Sequence, residues 1–175
     1  GSSEEERKQR DTRERILEIH KLAANYFYAK LNSDRGKGAK QYLLDRQLSE
    51  ETIRRFGLGY SDKYSNDLYQ YMKKKGFDDT ILNQTGLFTF HEKYGAGDKF
   101  WNRVMFPIMD KTNKVIAFGG RVMGDGKPKY LNSPETLIFD KSRNLYGLNF
   151  LHGKLDHGII ICEGYMDVIA LHQAG

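Results

Sequence analysis

The sequence RVMFPIMDKTNKVIAFGGR, residues 103–121, decides the fold class. Two apolar runs rich in β-branched and aromatic residues, 104–109 and 114–119, flank the polar turn 110–113. This pattern is typical of a β-hairpin, in which a polar turn joins two antiparallel strands. A second turn at Asp125-Gly126 precedes a short strand candidate at Tyr130-Leu131. The sequence therefore predicts that the centre of the chain is built from antiparallel strands.

The residues before this hairpin carry helical signals. Apolar residues recur at three- and four-residue steps and predict one long helix over 4–32, whose first turns are almost wholly polar. Shorter helices are predicted over 39–46, from the N-cap Ser49 to the residue before Gly57, over 66–75 with Ser65 as cap, and from Asp78 or Asp79 to near Gly86. The fold class predicted from these elements is α+β.

The end of the sequence changes character again. The apolar run 159–162 is typical of a buried parallel strand, and the helical stretch 165–173 follows it after Glu163-Gly164. We therefore expect three parts: a helix with a tag or linker lead-in (1–34), an α+β subdomain (35–153) and the incomplete start of an α/β subdomain (154–175).

Length and composition exclude several classes of protein. The 175 residues have the size of one ordinary domain, and 39% hydrophobic residues with 11 Tyr and 10 Phe exclude wholesale disorder. A single cysteine, Cys162, excludes a disulfide scaffold and a multi-cysteine zinc module. No apolar run approaches the roughly 20 residues that span a bilayer, so we expect a cytoplasmic protein that does not contact a membrane.

The positive charge is concentrated in one region. The net charge is +5, and residues 99–143 carry the whole excess. The basic residues there are Lys99, Arg103, Lys111, Lys114, Arg121, Lys127, Lys129, Lys141 and Arg143, against the acidic Asp110, Asp125, Glu135 and Asp140. Such a surplus favours an anionic partner for this part of the chain.

Two acidic residues are candidates for metal chemistry. Glu163 would follow the predicted parallel strand, at the sheet edge where α/β proteins place their ligands, and Asp167 lies about one helical turn further on. Carboxylate oxygens suit Mg²⁺ bound together with substrate phosphates. The spacing alone favours the simpler alternative, in which Glu163 is a solvated loop acid and Asp167 interacts with the helix dipole.

The glycine-rich basic segment 118–136 contains candidate phosphate ligands. Glycines allow close backbone approach, and Arg121, Lys127 and Lys129 supply charge. Tyr130 offers a ring for stacking, and Asn132 and Ser133 offer short hydrogen-bonding groups. A β-meander with turn glycines and solvated lysines explains the same segment equally well. Trp101 can stack on single-stranded nucleic acid, although a lone tryptophan more often packs in a core.

Five motifs in this order resemble the RNA-polymerase domain of bacterial DnaG-type DNA primases. They are RVMFPI (103–108), FGGR (118–121), PKYLNSPET (128–136), LYG (145–147) and EGYMDV (163–168). The stretch 39–60 resembles the start of the same domain. The resemblance implies an N-terminal catalytic-core subdomain followed by the first strand-helix unit of a TOPRIM subdomain.

The resemblance also implies an activity, the synthesis of short RNA primers on single-stranded DNA from ribonucleoside triphosphates during replication. Glu163 is implied as the metal ligand for Mg²⁺ or Mn²⁺, with Asp167 as a supporting acid. The implied contacts to template, triphosphate or primer are made by Arg121, Lys129, Tyr130 and Lys141, of which the two lysines also assist catalysis, with Arg103, Asn132, Ser133, Lys127 and Trp101 lining the same cleft.

The sequence departs from the family pattern in ways that limit this expectation. The TOPRIM Asp-x-Asp pair, the zinc-binding domain and the helicase-binding domain do not occur in these residues, so we expect no zinc site here and little catalysis by this chain alone. The helicase partner would be reached through a domain that these residues do not include. A non-catalytic binding module and another TOPRIM protein, such as a topoisomerase or nuclease, remain alternatives, although the block 128–136 favours a primase.

Overall fold

The computed structural model describes residues 1–141 and 165–174. The helices are α1 (Ser2–Leu31), α2 (Lys37–Asp45), α3 (Glu50–Phe56), α4 (Asp67–Lys74), α5 (Asp79–Leu82) and α6 (Tyr165–Ala174), with a short 3₁₀ turn at Asp34–Gly36. The strands are β1 (Gly59–Ser61), β2 (Phe88–His91), β3 (Gly95–Asp98), β4 (Arg103–Met109), β5 (Val115–Val122) and β6 (Tyr130–Asn132). The predicted α+β class is confirmed.

A four-stranded antiparallel sheet with the order β1-β4-β5-β6 forms the centre of the described structure. The predicted hairpin is confirmed as β4–β5, with Arg103 opposite Val122 and Pro107 opposite Phe118. The strand expected after the second turn is β6, which pairs with the end of β5. Strands β2 and β3 form a separate two-stranded ribbon.

Both faces of the sheet are covered, because alternate residues of β4 enter two different apolar clusters. Met105 packs with the buried residues of α1, α4 and α5, among them Ile19 and Phe27. Val104 and Phe106 pack on the opposite face, against α2 and α3. The second half of α1 therefore belongs to the core, while its polar first turns are exposed as the sequence predicts.

Local capping signals are confirmed where the cap and its helix are adjacent in sequence. The Ser49 hydroxyl accepts a hydrogen bond from the Thr52 amide, and the left-handed Gly57 ends α3. The Asp78 carboxylate accepts one from the Ile81 amide at the start of α5.

The prediction that Ser65 caps α4 is wrong. The helix begins at Asp67, and its first amides donate to a carboxylate from β3 instead. Asp98 Oδ2 accepts from Leu68 N and Oδ1 accepts from Tyr69 N, both at 2.9 Å. This cap comes from a residue far away in sequence, so no local pattern indicates it.

The helix expected after Glu163 is confirmed as α6. Its Ile169 is fully buried in the cluster formed by α2 and α3. The Gln173 amide bonds to the turn between those two helices, accepting from Ser49 N and donating to Gln47 O, each at 3.0 Å. The predicted strand 159–162 lies outside the described residues. Among the residues that are described, no helix has the length and apolar character needed to cross a membrane.

Candidate nucleic-acid interface

Arg121 on β5 lies between two tyrosine rings. It stands opposite Val104 and Tyr130 in the sheet register, on the face covered by α2. Its guanidinium carbon is 5.2 Å from the centroid of the Tyr42 ring and 5.8 Å from that of Tyr130. One Nη donates to the Val122 carbonyl, and the buried Nε has no hydrogen-bond partner among the described residues. The guanidinium is therefore held by ring contacts and by one backbone bond.

The rings of Tyr42 and Tyr130 each contact a second basic residue besides Arg121. Arg46 is 4.8 Å from the Tyr42 ring, and the Lys129 ammonium is 5.6 Å from the Tyr130 ring. Cations over aromatic rings are attracted to the negative ring face, which allows several positive groups to lie near one another. We call the series Arg46, Tyr42, Arg121, Tyr130 and Lys129 the basic track.

A second group of cations lies next to this track. The half-buried Lys99 has a lowered pKa, first because burial disfavours its charged form and second because Lys141 and Arg103 are near. Lys141 is exposed at the surface. The Arg103 guanidinium donates to the carbonyl of Lys129 at 3.4 Å and so joins this group to the basic track. A bound anion would relieve the repulsion between these cations.

Two residues that we expected to contact the ligand, Ser133 and Arg103, are buried and form hydrogen bonds within the protein. Ser133 is fully buried, and its hydroxyl accepts a hydrogen bond from the Phe118 amide, so it secures β6 to β5. This placement does not support the expected contact of Ser133 with sugar or phosphate. Arg103 is also buried and binds the carbonyls of Gly120 and Lys129. Its charge reaches the site, whereas its guanidinium is committed to the backbone.

The remaining predicted residues of the segment lie at the surface or near it. Lys127 and Lys129 are exposed in the loop before β6, and Tyr130 is half-buried. Asn132 is half-buried at the end of β6, opposite Gly119. These residues and Arg121 are therefore brought to one edge of the sheet.

Trp101 is half exposed rather than buried in a core, with a relative exposure of 50%. The next residue, Asn102, fixes its position, because the Asn102 amide donates to Asp62 O and its side chain donates to Met123 O, both at 2.9 Å. Tyr64 on the neighbouring segment is equally exposed and lies 5.3 Å from the Arg35 guanidinium. Exposed rings next to cations are typical of surfaces on which unpaired bases stack.

The candidate acidic site cannot be built from the described residues. Glu163 lies outside them, and Asp167 lies on α6 with no described side chain. Residues 1–141 with 165–174 contain no group of three or more His, Cys, Asp or Glu side chains that could hold a metal ion. The described side chains therefore do not provide a metal site by themselves.

Tyr42, Arg46 and Tyr64 are candidate site residues that sequence reasoning missed. The signal available for the first two is their four-residue spacing, which places Tyr42 of α2 and Arg46, the C-cap residue of α2, on one side of the helix. Nothing local indicates that this face meets Arg121 across the sheet.

The described residues form a small α+β fold with a cationic, aromatic-lined edge, a combination that is found in nucleic-acid-binding domains. Residues 26–152 match the family described as DNA primase catalytic core, N-terminal domain. The chain belongs to this DNA primase family.

Individual relatives agree with this assignment. The chain is 47% identical over 169 residues to the DNA primase of Clostridium acetobutylicum, which covers 96% of this chain and 28% of that protein. It resembles the crystal structure of a DNA primase domain from Pseudomonas aeruginosa with a TM-score of 0.79 and 43% identity, covering 91% of this chain and 51% of that one. The structure of a DnaG primase catalytic domain bound to single-stranded DNA matches with a TM-score of 0.74 and 38% identity, covering 81% and 44%.

Proposed function

We propose that this chain is the N-terminal part of the catalytic core of a bacterial DNA primase, with the boundaries near residues 34 and 153 that the sequence predicts. The chain spans 28% of the length of the Clostridium acetobutylicum relative, so the activity of the whole enzyme is part of this proposal. The whole enzyme would synthesise short RNA primers on a single-stranded DNA template in the cytoplasm, and would reach the replicative helicase through another part of its chain.

The observation that carries the proposal is the basic track with its neighbouring cations. Phosphate groups of a template strand or of a ribonucleoside triphosphate are the anions that such a surface fits, because guanidinium and ammonium groups neutralise them. The rings of Tyr130 and Trp101 would stack on unpaired bases, which all have a flat aromatic face. A DnaG catalytic domain bound to single-stranded DNA shares this fold, which supports the choice of ligand.

In primer extension, the 3′-hydroxyl oxygen of the primer would form a bond to the α-phosphorus and lose its proton to water, while the bond to the pyrophosphate oxygen breaks and pyrophosphate leaves. Arg121 and Lys129 would hold the phosphates, and Lys141 would neutralise charge at the same cleft. Mg²⁺ or Mn²⁺ bound through Glu163, with Asp167 in support, would supply Lewis-acid chemistry at the phosphate oxygens.

The first test measures binding by the 175-residue chain. Fluorescence anisotropy with a labelled 20-nucleotide DNA single strand at about 50 mM salt should show saturable binding that weakens as salt rises. Absence of binding at this salt concentration contradicts the proposed interface. The matching duplex serves as a comparison for the contribution of unpaired bases.

The second test measures catalysis by the complete enzyme. Glu163→Gln should abolish primer synthesis while leaving the affinity for the single strand within about twofold, because the substitution removes a charge at the acidic site and leaves the basic track intact. Lys111→Ala in the β4–β5 turn serves as a control that leaves synthesis unchanged. Full synthesis by Glu163→Gln would exclude the assigned role of this acid.

A further inference from the structure

Tyr42 contacts two guanidinium groups that come from different parts of the fold. Arg46, the residue that follows the last residue of α2, lies four residues beyond Tyr42, with its guanidinium carbon 4.8 Å from the ring centroid. Arg121 approaches from β5 at 5.2 Å. The ring therefore joins α2 to the sheet at the point where the basic track begins.

The ring of Tyr42, rather than its hydroxyl, makes these contacts. The hydroxyl oxygen is buried and has no hydrogen-bond partner among the described residues. An unpaired buried hydroxyl contributes no anchoring interaction and carries a desolvation cost. Phenylalanine at this position would therefore keep every contact that the structure shows for the side chain.

Arg121 depends on ring contacts for its orientation. Its Nε is buried without a partner, and one Nη is bound to the carbonyl of the adjacent Val122. No carboxylate forms a salt bridge with it among the described residues. The long arginine side chain has several rotatable bonds, and ordering it before a ligand arrives lowers the entropic cost of binding.

We propose that Tyr42 is a positioning residue, whose ring holds the Arg121 guanidinium in the orientation that meets a phosphate group of the bound strand. This role rests on the proposed function and adds to it a residue on α2 that does not itself touch the ligand. Tyr130 holds the same guanidinium at 5.8 Å, so the loss of one ring weakens the arrangement without abolishing it.

The test is a double-mutant cycle in the 175-residue chain, with binding of a fluorescein-labelled 20-nucleotide DNA single strand as the readout. The variants are Tyr42→Leu, Tyr42→Phe, Arg121→Ala and the Tyr42→Leu/Arg121→Ala pair. Tyr42→Leu should weaken binding by about three- to fivefold, the scale of one cation–π contact, and Tyr42→Phe should bind as the wild type does. In the Arg121→Ala background, Tyr42→Leu should cost less than about twofold, because the group that it positions is gone.

A second readout does not require DNA. The Nε–Hε signal of Arg121 in a ¹⁵N-edited NMR spectrum should carry a ring-current shift in the wild type and in Tyr42→Phe, and should lose the Tyr42 contribution in Tyr42→Leu, where only the more distant Tyr130 ring remains. Thermal unfolding shows whether each variant is folded, and Tyr42→Met replaces Tyr42→Leu if the latter is not.

Three outcomes would overturn the positioning role. They are additive losses of affinity in the double-mutant cycle, an equal loss of affinity in Tyr42→Phe and Tyr42→Leu, and an Arg121 Nε–Hε signal that is unchanged in Tyr42→Leu. If the wild type does not bind the strand at all, the proposed function fails, and the NMR experiment still decides whether the Tyr42 ring orders Arg121.

Discussion

Gly59 of β1 lies directly against the backbone of Phe27 in α1. A Cβ atom built at Gly59 would be 2.5 Å from the Phe27 Cβ and 2.7 Å from its carbonyl carbon. Contacts this short do not occur between carbon atoms in proteins, and the backbone of a packed helix cannot move away as a flexible side chain can. The absence of a side chain at residue 59 therefore sets how closely α1 approaches the sheet.

We expect Gly59→Ala to destabilise the protein by roughly 1–3 kcal/mol, because the added methyl group forces α1 and β1 apart. Urea unfolding followed by circular dichroism measures the change. Gly38→Ala is the matched control, since Gly38 lies in α2 with nothing within 4 Å of the added atom. That control should gain about 0.5–1 kcal/mol from helix propensity. Equal effects of the two substitutions would contradict the steric explanation.

Because the Asp98 carboxylate caps α4, we expect the free energy of unfolding to depend on pH. Burial raises the pKa of Asp98 to about 6, although two backbone amides partly oppose the change. Because this folded-state pKa is above the unfolded value of 3.8, the folded protein binds the proton more readily, and this contribution to stability falls as pH rises from about 4 to about 6.

Asp98→Asn removes this titration and leaves only one acceptor oxygen for the two amides. The free energy of unfolding of the wild type, minus that of Asp98→Asn, should decrease by about 1 kcal/mol between pH 5 and pH 7. Urea unfolding at both pH values checks this. Asp78→Asn is the comparison, because the Asp78 cap accepts from one amide only. A difference that stays constant between pH 5 and pH 7 would mean that Asp98 is already ionised in the folded protein at pH 5, and would contradict the raised pKa.

Because the Gln173 side chain attaches α6 to the rest of the fold, we expect that its removal destabilises α6 locally and leaves the rest of the protein folded. The side chain makes three hydrogen bonds to the α2–α3 turn, accepting from Ser49 N and Ser49 Oγ and donating to Gln47 O, and removing them should lower the local stability of α6 by about 1–2 kcal/mol. Hydrogen exchange in Gln173→Ala should show reduced amide protection in α6, with protection in β4 and β5 unchanged. Gln70→Ala on the exposed face of α4 is the control, and a uniform loss of protection across the fold would contradict a local role.

Much of this architecture follows from local patterns in the sequence. The β4–β5 hairpin, the long α1 and the Ser49 cap depend on residues that are close in sequence and agree with the predictions, and Asp78 is one of the two caps predicted for α5. The cap of α4 was not predicted, because the Asp98 carboxylate arrives from a separate strand. A local pattern cannot show which distant group satisfies a helix end.

The candidate site, like the fold, is predicted from the sequence only in part. The residue types of the segment 118–136 indicate an anion-binding surface, yet the pattern does not show that Ser133 faces the interior. The meeting of Tyr42 with Arg121 depends on how α2 packs across the sheet, and no spacing in the sequence predicts it. Motif resemblance indicates the candidate site, whereas the packing of α2 and β6 determines which of its side chains are available to a ligand.

Trp101 offers a test of base stacking that is separate from charge. Trp101→Ala should weaken binding of a single strand by about 1–3 kcal/mol and leave the salt dependence of binding unchanged, because the indole carries no charge. Anisotropy titrations at several salt concentrations measure both quantities. Tyr94→Ala is the control, since Tyr94 is 78% exposed in the turn between β2 and β3, outside the basic track. An equal loss in both variants would indicate a general effect of exposed aromatic residues.

Lys129 should behave in the opposite way, because its ammonium group replaces counterions of the phosphate backbone. Lys129→Ala should weaken binding of all single-stranded sequences to a similar degree and reduce the slope of log K against log salt by about 0.7. Lys111→Ala, in the exposed turn between β4 and β5, loses the same charge at a distance from β6 and should leave the slope unchanged. If both lysines change the slope equally, the strand responds to the net charge of the protein. A change at Lys129 alone would show that the contact is made at the edge of β6, beside Arg121 and Tyr130.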